Sequence, residues 1–291
     1  MGYTLAVIGC GTMGVAILSG IFSRIEQGKE GTDDLPTKFI ATVGRSTSID
    51  RLRSSLPSSS SAAKDIQILS GDEGNLEAIR SADMVLLACK PYMAKTILEK
   101  EGVKGALSGK VLASVLAGVT MSQLQAWAPE DCEVVRTMTN TPSKIGQGMT
   151  VITTIPSTSS SSTSSRLTAI FSSCGLVRFV DEKHFNVCTA LAGSGPAFVA
   201  MMVDALADGA VLMGLPRAEA VEMAAQTLAG TARMILDTKT HPAVLKDGVT
   251  TPGGCTIAGL MRMEDGNVRS TLARTIEAAT LHAAGLGQEK Q

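Results

Sequence analysis

Residues 5–14, Leu-Ala-Val-Ile-Gly-Cys-Gly-Thr-Met-Gly, constrain the fold more than any other stretch of the chain. A short apolar run ends in Gly9, Gly11 and Gly14, the G-x-G-x-x-G spacing, and an apolar helical pattern follows at once over residues 15–25. Strand, glycine turn and helix in immediate succession are the context that makes this spacing informative. Gly9 permits a tight turn, Gly11 lets a pyrophosphate approach the backbone through the loop it forms with Thr12 and Met13, and Gly14 lets the helix pack closely on its strand. Open N–H groups and the dipole at the helix start favour a bound phosphate. The motif predicts a dinucleotide site; the simpler alternative is a tight strand-to-helix turn.

Further apolar runs predict strands at residues 39–43, 66–69, 83–88, 111–115, 133–138, 149–153 and 177–180. Helical patterns separate several of them, including a small helix opened by Asn75, one over 120–127 and one over 166–173. This alternation is the grammar of an α/β fold. Residues 26–37 read as a polar loop, and residues 56–64 and 157–165 as serine-rich insertions. In open α/β sheets ligands sit at the carboxyl ends of the strands, so the residues there matter most. The second run is followed by Gly44-Arg45-Ser46-Thr47, with no acid before Asp50. An acid at this place accepts hydrogen bonds from the ribose 2′-OH, whereas an arginine with hydroxyl neighbours suits a 2′-phosphate. The reading is NADP(H) over NAD(H), against a plain solvated loop charge. The fourth run ends in Ala88-Cys89-Lys90-Pro91, and the fifth in Leu116-Ala117-Gly118, small enough to admit a flat ring. The sixth ends in Thr139-Asn140-Thr141-Pro142, polar groups that either hold a ligand or cap a turn.

From Phe185 the grammar changes to long Ala/Met/Leu helices. Ser194 reads as an N-cap with Pro196 in the first turn. The helix that follows, over 197–213, is apolar almost all round apart from Asp204 and Asp208, which read as a solvated stripe. Such a helix must be buried on most faces, which predicts packing against a second subunit. The two aspartates cost roughly 2.5–3.5 kcal/mol each at a bilayer centre, which argues against a membrane span. Residues 245–256, ending Thr-Thr-Pro-Gly-Gly-Cys-Thr before an amphipathic run, predict a second anion cradle. The competing reading is an ordinary helix capped by Thr251. With a formal net charge of −1, no basic block and only 3% aromatics, the chain lacks the features of a nucleic-acid binder. Six cysteines are scattered without C-x-x-C spacing, so neither a metal site nor a disulfide framework is indicated. No secretory leader is evident, and the expectation is a soluble protein of the cytoplasm.

Taken together these segments resemble the pyrroline-5-carboxylate reductase family. The matching residues are 6–14, 86–91 (Leu-Leu-Ala-Cys-Lys-Pro), 117–119, 136–142 (Arg-Thr-Met-Thr-Asn-Thr-Pro), 189–198 (Thr-Ala-Leu-Ala-Gly-Ser-Gly-Pro-Ala-Phe), 241–242 and 245–256. The resemblance implies an N-terminal Rossmann domain, doubly wound with a mainly parallel sheet, over residues 1–182. An all-α substrate-binding and dimerisation domain would follow over 183–291. It implies that Gly9, Gly11, Thr12, Met13, Gly14, Arg45, Ser46, Asn75, Ala88, Cys89, Lys90, Pro91, Ala117, Gly118 and Asn140 contact NADPH, with NADH as a second option. Glu182, Thr251, Gly254, Cys255 and Thr256 would surround the substrate, 1-pyrroline-5-carboxylate, which becomes L-proline. Thr189 would lie near the site as a proton relay. The implied assembly is a homodimer, in the family often built into larger rings such as a decamer. Three departures stand out: Phe198 replaces a family tyrosine and offers no phenol, Thr251 replaces a serine, and Gly248 replaces a side chain able to touch the cofactor.

The expected reaction is hydride transfer from nicotinamide C4 to C5 of the cyclic imine. An iminium is already a good hydride acceptor, so the protein has chiefly to align two reactants and fix a carboxylate. No His/Asp acid–base pair is apparent; His184 and His282 read as surface residues and His241 as part of a turn. Two rivals remain. A dehydrogenase of the 3-hydroxyacid type would need a lysine or histidine base, for which Lys246 and His241 are the local candidates. A non-enzymatic NADP-binding protein would leave the second cradle without a task.

Overall fold

The computed structural model describes residues 2–28, 33–154 and 161–286. Part of the polar loop (29–32) and part of the second serine-rich insertion (157–160) lie outside the described residues. Eight strands form one sheet: β1 Thr4–Ile8, β2 Lys38–Val43, β3 Gln67–Ser70, β4 Met84–Leu87, β5 Val111–Ser114, β6 Glu133–Met138, β7 Gly148–Thr153 and β8 Gly175–Val180. Their order is β3-β2-β1-β4-β5-β6-β7-β8, and every neighbouring pair is parallel except β6 and β7. The first six strands follow the Rossmann order, with β7 and β8 extending one edge. Helices α1 Thr12–Glu26, α2 Ile49–Ser55, α3 Ser61–Lys64, α4 Gly71–Ser81, α5 Ala94–Leu98, α6 Val103–Leu107, α7 Met121–Trp127 and α8 Ser161–Ser172 connect the strands.

Alternation along each strand builds two cores. Leu5 and Val7 pack with Ile17, Ile21 and Phe22 of α1 and Phe171 of α8 on one face of the sheet. Ala6 and Ile8 pack with Ile79, Leu98, Leu107 and Leu124 on the other. A strand buried on both faces reads as a continuous apolar run, which is why Met84–Leu87 is apolar throughout. Thr120 caps α7 in a capping box with Gln123.

Several local expectations are corrected. Asn75 lies inside α4 rather than at its start. The helix expected from 166 begins earlier, at Ser161. Residues 56–64 are not simply a surface insertion: Leu56 and Ala63 are buried in the core, and Ser60 accepts a hydrogen bond from the Ala63 N–H to start α3. Ser194 does stand at the N-cap position of α10, with Pro196 in the first turn, but its backbone is already αR and its side chain makes no capping bond. The chain is already helical there, running from α9 Phe185–Cys188 through a π-helical turn, Thr189–Gly193, into α10 Gly195–Leu212.

The chain divides into two compact units: residues up to Gly193 joined by the chain from Thr280 on, and Ser194–Ala279. The second unit is helical, with α10, α11 Arg217–Thr238, α12 Pro242–Gly248, α13 Cys255–Asp265 and the start of α14 Val268–Leu286. Helices α10 and α11 pack on each other. Among the described residues of this unit, Ala207 and Ala220 are the only buried hydrophobic side chains. Leu206, Leu212, Met201, Met213 and Met223 are all more than half exposed. An apolar surface of this kind on one chain marks a contact with something else. Asp208 and Asp204 are exposed and pair with Arg217, as a solvated stripe should.

Candidate functional site

The glycine loop closes β1 and is fastened from below. Gly9 has φ of +73°. Its N–H donates to the Thr42 hydroxyl (3.0 Å), which in turn donates to Asn75 Oδ1 (2.6 Å). Thr42 is fully buried, so one β2 side chain fixes both the loop and the orientation of the Asn75 amide. Oδ1 is thus engaged, the amide keeps its N–H groups for another acceptor, and Asn75 lines a cavity.

That cavity measures about 420 Å³. Gly9, Gly11, Thr12, Met13, Asn75, Ala88, Cys89, Lys90, Pro91 and Ala117 line it, as the sequence led us to expect. Gly14 instead packs α1 onto β1: a Cβ there would come within 2.9 Å of Cys10 Sγ and 3.1 Å of Val7 Cγ1. A Cβ at Gly11 would meet nothing nearer than 3.9 Å, so this glycine faces room that a ligand can fill. No side chain caps the first turn of α1, and no carboxylate lines the cavity. Burial pushes the Cys10 thiol up to about 12 and the Cys89 thiol up to about 11, so both thiols stay neutral. An uncapped helix start, a donating amide and Lys90 suit a dinucleotide's phosphates.

Five residues of the expected set stand elsewhere. Gly14 is in the core, as above. Arg45 and Ser46 are exposed and lie outside the cavity wall, while Ser48 and Arg51 stand in it. The motif at the strand end drew attention away from these two; helical spacing (i, i+3) is the signal that could have found them. Gly118 turns the chain after β5 with φ of +77°. Asn140 is engaged at both ends of its amide: Nδ2 donates to the Ala192 carbonyl (3.0 Å) and Oδ1 accepts from the Met149 N–H (3.0 Å). It ties β7 to the π-helical turn.

Glu182 is held by Arg136 of β6, with Nη1 to Oε1 at 2.6 Å. The guanidinium lies 4.1 Å over the Phe185 ring and is almost wholly buried. Thr189, the first residue of the π-helical turn, donates to the Phe185 carbonyl (2.8 Å) and keeps its lone pairs for a further donor.

In the second unit, residues 249–254 lead into α13. Gly253 has φ of +66°, and the Gly254 N–H donates to the Thr251 carbonyl (3.1 Å). Gly254, not Thr251, is the N-cap, and no side chain satisfies the first turn. The donors at the start of α13 are therefore open beside an exposed Cys255 and a half-buried Thr256. A Cβ on Gly254 would fall 2.5 Å from Thr251 Oγ1, so the bare glycine is what lets that hydroxyl lie against the cap. The Thr250 hydroxyl donates to the Lys246 carbonyl (2.7 Å) and closes α12. His241 caps the start of α12 through Nδ1, and His184 and His282 are exposed.

With this geometry in view, known proteins give a consistent comparison. Residues 182–286 match the model for pyrroline-5-carboxylate reductase dimerisation, and residues 4–118 match that for NADP oxidoreductase, coenzyme F420-dependent. A pyrroline-5-carboxylate reductase of Lophium arboricola is 48% identical, covering 99% of this chain and 94% of that protein. The Schizosaccharomyces pombe reductase is 41% identical over 97% and 98% respectively. The structure of the Coxiella burnetii reductase superposes with a TM-score of 0.84 at 27% identity, covering 99% of this chain and 100% of that one. A Plasmodium falciparum pyrroline carboxylate reductase with NADP bound gives 0.78 at 26%, covering 98% of each chain.

Proposed function

The chain belongs to the pyrroline-5-carboxylate reductase family, and we infer from its two carboxylate-free helix starts how it reduces 1-pyrroline-5-carboxylate to L-proline. It is an oxidoreductase of the last step of proline synthesis and uses a nicotinamide cofactor. The single observation that carries the detailed reading is chemical. The start of α1 and the start of α13 both present open N–H donors with no capping side chain and no acid in the first turn. One suits a pyrophosphate and the other a small carboxylate.

The bound nicotinamide supplies the hydride. Gly11, Thr12 and Met13 would hold the phosphates of the dinucleotide, Asn75 and Lys90 would add donors, and Ala117 leaves room for the flat nicotinamide ring. The backbone of Gly254, Cys255 and Thr256, with the Thr251 and Thr256 hydroxyls, fixes the substrate carboxylate and so presents C5 of the imine. Holding two reactants in line is the larger part of the rate for an acceptor this reactive. A water donating to the Thr189 hydroxyl oxygen, whose own hydrogen goes to the Phe185 carbonyl, relays the proton that the imine nitrogen gains; Phe198 has no hydroxyl for that task. NADPH is preferred over NADH because the cavity wall carries cations and no acid. The working unit is a homodimer in which the exposed apolar face of α10 meets a partner subunit. By length and composition residues 182–212 also suffice to cross a bilayer. The match of this segment to a dimerisation domain favours the partner subunit. Six free thiols suit a reducing compartment such as the cytoplasm.

Purified protein should oxidise NADPH when 1-pyrroline-5-carboxylate is added; protein that binds NADPH yet gives no turnover would overturn the assignment. Thr256→Val should raise KM for the imine about tenfold and leave KM for NADPH unchanged. Equal changes in the two constants would refute the carboxylate cradle.

A further inference from the structure

We propose that Arg51, rather than Arg45, is the residue that reads the cofactor's 2′-phosphate. This rests on the NADPH preference inferred above and names the side chain that produces it. The strand-end motif points to Arg45; Arg45 and Arg51 are both solvent-exposed, but Arg45 has an extended backbone (φ −136°, ψ 142°) and lies outside the cavity wall. Arg51 lies one turn along the face that Ser48 begins, and both stand in the wall of the cavity containing the glycine loop.

Arg51 also lines the adjoining cavity of about 490 Å³ between α1 and α2, together with Thr12, Ser19, Ser55 and Lys144. The two cavities share Cys10, Gly11, Thr12, Val43, Ser48 and Arg51, so Arg51 stands where they meet. Neither wall contains an aspartate or glutamate among the described residues, although the whole chain carries a formal net charge of −1. Among the described residues no carboxylate lies within ion-pairing distance of Arg51. An arginine at the wall of an anion cavity, with a hydroxyl one turn away and no internal counter-ion, is matched by a phosphate, which it can grip with two parallel N–H donors. Arg53 provides a control within the same helix. It carries the same charge two residues along, is exposed as Arg51 is, and lines neither cavity.

The test is calorimetric binding of 2′,5′-ADP and of 5′-AMP to the intact protein, which needs no turnover. Arg51→Ala should weaken 2′,5′-ADP by about tenfold to a hundredfold and leave 5′-AMP within a factor of about two. Arg53→Ala should leave both unchanged, and Arg45→Ala should cost less than Arg51→Ala. Arg51→Lys keeps the charge without the fork and should fall between wild type and Arg51→Ala. A thermal melt matching wild type shows that each variant is folded. Arg51→Ala behaving like Arg53→Ala, or Arg45→Ala giving the larger loss, overturns the assignment to Arg51 while the NADPH preference stands. Wild-type protein that binds 2′,5′-ADP no tighter than 5′-AMP overturns the preference itself.

Discussion

Replacing Gly9 by alanine is expected to remove cofactor binding and to destabilise the sheet domain by about 2–5 kcal/mol, the sum of a backbone and a packing effect. The backbone effect comes from φ of +73°, which a residue with a Cβ adopts only under strain. The packing effect is larger in kind than a side-chain clash. The new Cβ would lie 2.5 Å from Cys89 Cβ and 2.6 Å from Cys89 Cα, and that backbone is pinned where β4 leaves the sheet. The adjacent Ala88 N–H donates to the Ile8 carbonyl (2.9 Å), so Cys89 cannot retreat without opening β1 from β4. Movement of Gly9 instead would break its bond to Thr42, and with it the bond that orients Asn75. Gly11→Ala is the informative contrast. Gly11 has an extended backbone (φ −94°, ψ −152°) and open space around its Cα, so Gly11→Ala should melt within about 1 °C of wild type. Its NADPH affinity should still fall at least about tenfold, because the methyl occupies room a pyrophosphate needs. Chemical denaturation and NADPH titration of the two variants separate these effects. Gly9→Ala melting like wild type would refute the packing argument. Gly11→Ala binding NADPH normally would refute the placement of the phosphates.

How much of this was legible in the sequence differs between kinds of element. All eight strands were legible as apolar runs, most plainly where both faces are buried, as in Met84–Leu87 and Val111–Ser114. The anion cradles were legible because glycines at a strand-to-helix or loop-to-helix junction have few other uses. Features set by distant partners were hidden. Ser194 before Gly-Pro satisfies every local rule for an N-cap. It takes that position before α10 but makes no cap bond, and the π-helical turn that precedes it is secured by Asn140, whose amide reaches the Ala192 carbonyl 52 residues away. The same bond answers the question left by Thr139-Asn140-Thr141-Pro142. Those groups are engaged with one another and with β7, Thr139 with the Ser143 and Thr150 hydroxyls and Asn140 with Met149. Serine-rich composition masked the anchors Leu56, Ser60 and Ala63, which are buried while Ser58, Ser59, Ser61 and Lys64 around them are exposed. Arg51 was overlooked for another reason: a motif read along the chain points to its own residues, while a helix presents the one three positions later.

The Arg136–Glu182 pair yields a second large and unequal expectation. Arg136 is the buried partner, with 5% of its side chain exposed, whereas Glu182 is 41% exposed. Removing Glu182 leaves a guanidinium in the core between β6 and the Phe185 ring, with Nε already lacking a partner there. Removing Arg136 leaves a carboxylate that water can reach. Glu182→Ala is therefore expected to cost about 2–4 kcal/mol, below the full effect of breaking a buried pair because water screens the carboxylate. Arg136→Met should cost only about 1 kcal/mol, as the thioether chain fills most of the space over Phe185. The double variant should melt with Arg136→Met and not below Glu182→Ala, since no charge is left stranded. Equal costs for the two single variants would show that burial does not set the asymmetry. Glu182→Gln then separates a holding role from a substrate role. Its amide oxygen still accepts from Nη1 of Arg136, so most of the stability should remain, while a contact of the carboxylate with the imine substrate would be lost. A rise in KM for 1-pyrroline-5-carboxylate with a near-native melt would assign Glu182 to the substrate site. An unchanged KM would confine it to anchoring the start of the long helix on the sheet.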